Sequence, residues 1–167
     1  MQSDFNAIIE QYGGLLSRVA ATYEANAALQ QELIQEISLA VWQGLRRFQG
    51  NSSIKTYILR IAHNRAVSHV SSQVKAPYFD EYDSVTHEPK TSPSSNTNPE
   101  LQIANQQAVS ALLDAVRQLS ISARQIVTLS LEGLSYKEIA EICGTTTSNV
   151  GVVLNRSKQQ IVSKIDE

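Results

Sequence analysis

The chain has 167 residues, a formal net charge of −2 at pH 7 and one cysteine, Cys143. That length suits one or two small domains, and the charge excludes a uniformly basic coat for nucleic acid but not a local basic surface. A single cysteine excludes a disulfide framework and a four-thiolate metal site. The sequence shows no signal-peptide pattern and no apolar run of ~18 residues, so we expect a cytoplasmic protein without membrane insertion.

Residues 1–75 have the apolar spacing of α-helices. Apolar residues between Phe5 and Val19 predict a first helix with a weak point at Gly13-Gly14. A second helix is predicted over 28–48, because apolar residues recur there at three- and four-residue intervals. Ser53 can cap a third helix. Its inward face is predicted to hold Ile54, Tyr57, Ile58 and Ile61, with Thr56, Arg60 and His63 on the opposite face.

The third helix lies in an unusual charge pattern. No acidic residue occurs between Glu36 and Asp80, a span of 43 residues. Six fixed positive charges fall in the same span, namely Arg46, Arg47, Lys55, Arg60, Arg65 and Lys75. This pattern predicts a local anion-binding surface within an acidic protein.

The second half of the chain begins after a change in composition. Residues 76–99 contain all four prolines of the chain and no apolar period, so they are predicted to be a linker. Helical patterning returns in 100–167, with helices predicted over 100–118 and 121–132. The predicted fold is therefore all-α, with two small helical domains joined by a flexible linker.

The stretch GLSYKEIAEICG at 133–144 has the pattern of a short capped helix. Ser135 and Glu138 form a capping-box pair, Gly144 suits a left-handed helix end, and Thr146 can cap the next helix. Two short helices joined by such a turn form a helix-turn-helix, whose second helix enters the DNA major groove. A plain helical hairpin within a bundle is the alternative interpretation.

Three motifs together resemble the sigma factors of bacterial RNA polymerase, in their extracytoplasmic-function (ECF) class. QQELIQE at 30–36, followed by Trp42, is similar to the family's A-E-D-L-V-Q-E-x5-W segment. FQGNS at 48–52 and TYILRIAHN at 56–64 are similar to its F-x-G-x-S and T-W-L-Y-R-I-A-x-N segments. The helix-turn-helix stretch, with Val150, Leu154 and Arg156, resembles its C-terminal motif.

The resemblance implies a role for each region. Residues 1–75 are expected to dock on the clamp of the polymerase β′ subunit and to recognise and melt the −10 element, and residues 100–167 to read the −35 element of promoter DNA. The expected polymerase contacts are Glu32, Gln35 and Glu36. The expected −10 contacts are Gln49, Asn51, Ser53, Lys55, Arg60, His63, Asn64 and Arg65. The expected −35 contacts are Tyr136, Lys137, Thr147, Ser148, Asn149, Gly151, Val152, Asn155, Arg156 and Lys158.

Several points depart from the family pattern or stay open. Tyr57 stands where the family usually has Trp, and Gly151 and Val153 stand where Lys or Arg is common. Trp42 is predicted to be a core residue, since it closes an amphipathic helix.

We expect no cofactor, metal or enzymatic activity, because no nucleophile or phosphate-cradling motif is present. Whether an anti-sigma protein binds stays open. The alternative function is a stand-alone helix-turn-helix transcriptional regulator with an N-terminal sensing or dimerisation domain.

Overall fold

The computed structural model describes residues 2–75 and 99–166, and the side chains of 5–72 and 99–166. Within these ranges the chain forms seven α-helices and no strand, which confirms the predicted all-α fold. The helices are α1 Gln2–Tyr23, α2 Ala27–Leu45, α3 Ile54–Lys75, α4 Pro99–Arg117, α5 Ile121–Leu131, α6 Tyr136–Cys143 and α7 Thr147–Ile165. Apart from Pro99, the predicted linker lies outside the described residues.

Helices α1, α2 and α3 pack together as the first helical unit, residues 2–75. Leu16, Val19, Leu33, Ile37 and Leu59 are almost fully buried among them. α1 continues without interruption through Gly13-Gly14, so the predicted weak point is wrong. Two glycines lower the helix propensity of this segment, but the packing of the two leucines that follow against the other helices stabilises α1.

The inward face of α3 differs from the prediction. Leu59, Ala62, His63 and Ala66 are fully buried, whereas Ile54 is 36% exposed. The small alanine side chains allow α3 to approach α1 and α2 closely. The buried face of α3 is therefore the one that permits this close packing, and not the one with the bulkiest apolar residues. His63 therefore lies in the core and not on the opposite, exposed face.

His63 is accommodated in the core by a tyrosine. The Tyr23 hydroxyl and His63 Nδ1 share a hydrogen bond of 2.9 Å, and the two rings meet edge to face. Nε2 of the same imidazole has no hydrogen-bond partner. Burial lowers the pKa of His63 to about 4, so the side chain is neutral near pH 7.

Helices α4 to α7 form the second helical unit, residues 99–166, and its turns follow the predicted caps. The Ser135 hydroxyl accepts from the Glu138 amide and the Glu138 carboxylate accepts from the Ser135 amide, which confirms the capping box. Gly144 ends α6 with φ of 69°, a conformation that side-chain-bearing residues rarely adopt. Thr146 caps α7 by accepting from the Asn149 amide at 3.1 Å.

The two helical units are packed against each other, and nothing in the sequence predicts this contact. One continuous apolar cluster extends from Leu15 and Val19 of α1 to Ile126 and Leu129 of α5. The Arg124 guanidinium of α5 lies 5.6 Å from the centroid of the Tyr23 ring, and Arg117 Nε donates to the Ala21 carbonyl at 2.9 Å. The C-terminal half of α1 thus belongs to both packing surfaces.

Burial of His63 makes stability depend on pH. Its folded pKa of about 4 lies below the unfolded value of 6.5, so the unfolded state binds more protons between these values. The free energy of unfolding should fall as the pH drops from 6.5 to 4, by up to about 1.4 kcal/mol per pH unit from this group. His63→Leu should lose that part of the slope in urea titrations across this range.

Tyr23→Phe is the matched control, since it removes the hydroxyl that meets His63 but keeps the titrating imidazole. It should lower stability and retain most of the pH slope. An unchanged slope in His63→Leu would show that other groups cause the acid sensitivity.

Candidate nucleic-acid interface

The predicted polymerase-binding residues lie on the outer face of α2. Asn26 caps this helix by accepting from the Leu29 amide at 3.1 Å, and Leu33, Ile37 and Val41 anchor its inner face. Glu32, Gln35 and Glu36 are consequently exposed. The Glu36 carboxylate lies 3.7 Å from Arg65 Nε of α3, so this acidic face adjoins the basic face of α3.

The same face of α2 continues into exposed apolar residues. Leu39 is 53% exposed and Trp42 is 39% exposed, so the prediction that Trp42 belongs to the core is wrong. Both side chains line a groove of about 920 Å³, whose wall also includes Phe5 and Phe48. Arg46 lies over the indole, 5.0 Å from its centroid. The spacing in the sequence could have indicated that Trp42 is exposed. Gln35, Leu39 and Trp42 follow one another at four- and three-residue intervals, which places them on the same exposed face of α2.

The predicted −10 loop is exposed between α2 and α3. Gly50 has φ of 77°, which turns the chain sharply and presents Gln49 and Asn51 to solvent. Ser53 also has a structural role, because its hydroxyl oxygen accepts from the Thr56 amide at 3.1 Å, as expected for a helix cap.

The predicted −10 residues of α3 divide into three groups. Arg60, Asn64 and Arg65 are exposed together on one face of the helix. Lys55 is half-buried, and its ammonium group donates to the Glu132 carbonyl of the second unit at 2.7 Å. His63 is fully buried, so it cannot contact DNA in this arrangement, and we remove it from the predicted interface.

The predicted −35 residues form one surface of the helix-turn-helix. Val150 and Leu154 are buried, which orients the opposite face of α7 outward. Nine of the ten predicted residues are exposed: Tyr136, Lys137, Thr147, Ser148, Asn149, Val152, Asn155, Arg156 and Lys158. The tenth, Gly151, is half-buried, and a Cβ there would lie 3.5 Å from the Tyr136 ring. The Asn149 amide donates to the Thr145 hydroxyl at 2.9 Å, which fixes that side chain at the start of the helix.

The described residues include no group of three His, Cys, Asp or Glu side chains arranged to hold a metal ion. Burial raises the pKa of the Cys143 thiol to about 11, so it stays protonated near pH 7. In the described part of the chain, no helix is long and apolar enough to span a membrane.

Two family models match the chain, and both describe sigma-70 factors. Sigma-70 region 2 matches residues 8–76 and sigma-70 region 4 matches residues 110–161. The ECF RNA polymerase sigma-E factor of Escherichia coli K12 is 25% identical over 168 residues, with 98% of this chain and 87% of that protein covered. The Haemophilus influenzae sigma-E factor is 24% identical over 165 residues, with coverage of 96% and 87%.

Two solved structures share the fold. The sigma factor RpoE of Bartonella quintana, solved with the anti-sigma factor NepR, aligns with a TM-score of 0.72 at 17% identity and covers 98% of this chain and 97% of its own. CnrH, solved with the cytosolic domain of CnrY, aligns with a TM-score of 0.69 at 16% identity and covers 99% and 90%.

The fold, the helix-turn-helix and the two matched regions define a transcription initiation factor of the sigma-70 family, and the chain belongs to its ECF class. It is thus a DNA-binding sigma factor that directs RNA polymerase to promoters, and the stand-alone regulator considered above is not favoured. Sigma factors of this kind are initiation factors and not enzymes.

The orientation of α7 can be tested with two neighbouring valines. Val150 is fully buried and Val152 is 46% exposed. Val150→Asp should unfold the helix-turn-helix, because an unpaired charge in the core costs several kcal/mol. Val152→Asp should keep the fold and weaken only binding to promoter DNA. Circular dichroism melting of both variants checks this, and equal loss of helix in the two would contradict the orientation.

Proposed function

We propose that residues 1–75 bind core polymerase and act on the −10 element, while residues 100–167 read the −35 element. The observation that supports this division best is the outer face of α2. Acidic and amide side chains, Glu32, Gln35 and Glu36, adjoin the exposed apolar pair Leu39 and Trp42 there. A stand-alone regulator has no need of such a face.

The α2 face has the composition of a protein-binding site. Exposed tryptophan and leucine at the wall of a groove supply apolar area to bury, and flanking carboxylates orient a basic partner. We therefore propose that the β′ clamp of core polymerase covers Glu32, Gln35 and Glu36 and extends over Leu39 and Trp42.

The loop from Gln49 to Ser53 and the exposed face of α3 are proposed to bind −10 DNA. Arg60 and Arg65 supply phosphate contacts, while Asn51 and Asn64 offer donors and acceptors to unpaired bases. Glu36 lies 3.7 Å from Arg65 Nε, so polymerase binding on α2 and DNA binding on α3 occur on adjoining surfaces of one small unit.

The exposed face of α6 and α7 is proposed to read the −35 element. Asn149 and Asn155 can form paired hydrogen bonds with adenine edges in the major groove, whereas Arg156 and Lys158 suit phosphates. The protein is proposed to act in the cytoplasm, where polymerase and promoter DNA meet. The related sigma factor RpoE was solved with the anti-sigma factor NepR, which supports an anti-sigma partner here as well.

Polymerase docking can be tested by reversing two charges. Glu32→Lys with Glu36→Lys should weaken binding to core polymerase by about tenfold or more, because a basic partner would then be repelled. The helix should stay folded, since both side chains are exposed. Fluorescence anisotropy with labelled protein and core polymerase measures the affinity.

The charge-matched control is Glu10→Lys with Asp166→Lys, which reverses two exposed carboxylates away from the α2 face. It should bind core polymerase like the wild type. An equal loss of affinity in both double variants would mean that net charge, and not the α2 face, determines binding.

Base reading by α7 can be tested on a library of −35 sequences transcribed with core polymerase. Asn149→Ala should change base preference at one position by roughly 1–3 kcal/mol, as expected for a lost bidentate pair. Arg156→Ala should weaken transcription from all sequences about equally, because a phosphate contact does not distinguish bases. Base preference that is intact at every position in Asn149→Ala would refute the proposed register of α7.

A further inference from the structure

Val152 is an apolar residue in the middle of the proposed −35 surface. It lies in the second turn of α7, and its side chain is 46% exposed. The residues three and four positions away on either side are Ser148, Asn149, Asn155 and Arg156, and all four are polar and exposed. A valine is thus surrounded by side chains that suit phosphates and base edges.

Folding does not account for this valine. The buried residues of α7 are Val150, Leu154 and Ser157, so Val152 lies outside the core. Valine is also a weaker helix former than alanine, because its branched side chain loses rotamer freedom in a helix. An exposed valine at this position therefore favours a contact outside the chain.

The residue before Val152 leaves the valine methyl groups accessible to a close partner. Gly151 has no side chain, and a Cβ there would lie 3.5 Å from Cε2 of the exposed Tyr136 ring. The ring therefore occupies the space into which a longer side chain at position 151 would extend. A short side chain such as valine reaches a base edge only where the helix backbone lies close to the DNA, and glycine permits that approach.

The major groove offers an apolar side chain one kind of partner. Guanine, cytosine and adenine present hydrogen-bond donors and acceptors there, whereas thymine also presents its 5-methyl group. A valine against a donor or an acceptor would remove water from it without replacing the hydrogen bond, which is unfavourable. A valine against a methyl group buries apolar surface on both molecules, which is favourable.

We propose that Val152 selects a thymine in the −35 element by packing against its 5-methyl group. The contact adds an apolar component of base reading to the hydrogen bonds proposed for Asn149 and Asn155. This inference rests on the proposed function, because it requires α7 to lie in the major groove of −35 DNA.

Deoxyuridine tests the contact, because it lacks only the methyl group of thymine and forms the same base pair. In a promoter with the −35 sequence that the wild type prefers, each thymine of either strand is replaced in turn. The affinity of the full sigma factor together with core polymerase is then measured by competition. One replacement should weaken binding of the wild type by about fourfold, as expected for the loss of one buried methyl group. The same replacement should leave the affinity of Val152→Ala unchanged.

Val162→Ala is the matched control, since it makes the same change at an exposed valine of α7 outside the proposed −35 surface. It should keep the full effect of deoxyuridine. Both variants should stay folded, because each valine is exposed and alanine is the better helix former. A C·G pair at the sensitive position supplies the reverse test. There, 5-methylcytosine in place of cytosine should strengthen binding of the wild type but not of Val152→Ala.

Four results would refute the contact while promoters with different −35 elements still differ in affinity. They are a wild type without a methyl-sensitive thymine, a wild type that does not distinguish 5-methylcytosine from cytosine, a methyl effect that persists in Val152→Ala, and a methyl effect that is lost equally in Val162→Ala. In each case the proposed reading of the −35 element stands. An affinity that does not depend on the −35 sequence at all would refute the proposed function of the second unit, and the thymine contact with it.

Discussion

The C-terminal half of α1 is the element against which both helical units pack. Leu16 and Val19 are buried against α2 and α3, while Tyr23 meets His63 on one side and Arg124 on the other. Burial raises the pKa of the Tyr23 hydroxyl, so it stays protonated and able to bond with the imidazole. Because one short segment serves both units, the arrangement of this two-domain protein depends on a few side chains.

The binding surfaces follow from the way in which each helix is anchored. Leu33 and Ile37 fix the rotation of α2, and this turns the acidic and apolar residues that we propose as polymerase contacts outward. Val150 and Leu154 do the same for α7, whose polar face is then available to DNA. In both units the core residues determine which side chains are exposed, so the proposed binding faces are a consequence of helix packing.

His63 and Trp42 show where reading the sequence alone was insufficient. A polar histidine was placed on the outer face of α3 and a tryptophan in the core, and both placements are wrong. The histidine is buried because Tyr23, 40 residues away, satisfies one of its nitrogens. The tryptophan is exposed because Val41 already fills the neighbouring core position of α2. Only the burial of His63 depends on a distant neighbour that periodicity does not reveal, because the spacing of Trp42 with Gln35 and Leu39 already indicates an exposed face.

The sequence by itself determined the seven helices closely, the capping box at Ser135 and Glu138, the glycine end of α6 and the family. These features depend on residues three or four positions apart, so local hydrogen bonds and apolar spacing suffice to specify them. Only the tertiary structure decided that Lys55 and Arg18 meet Glu132, across 77 and 114 positions of the chain. Such a contact depends on how the surfaces of two separately folded units fit together. Local patterns in the sequence do not specify which residues of the two surfaces will meet.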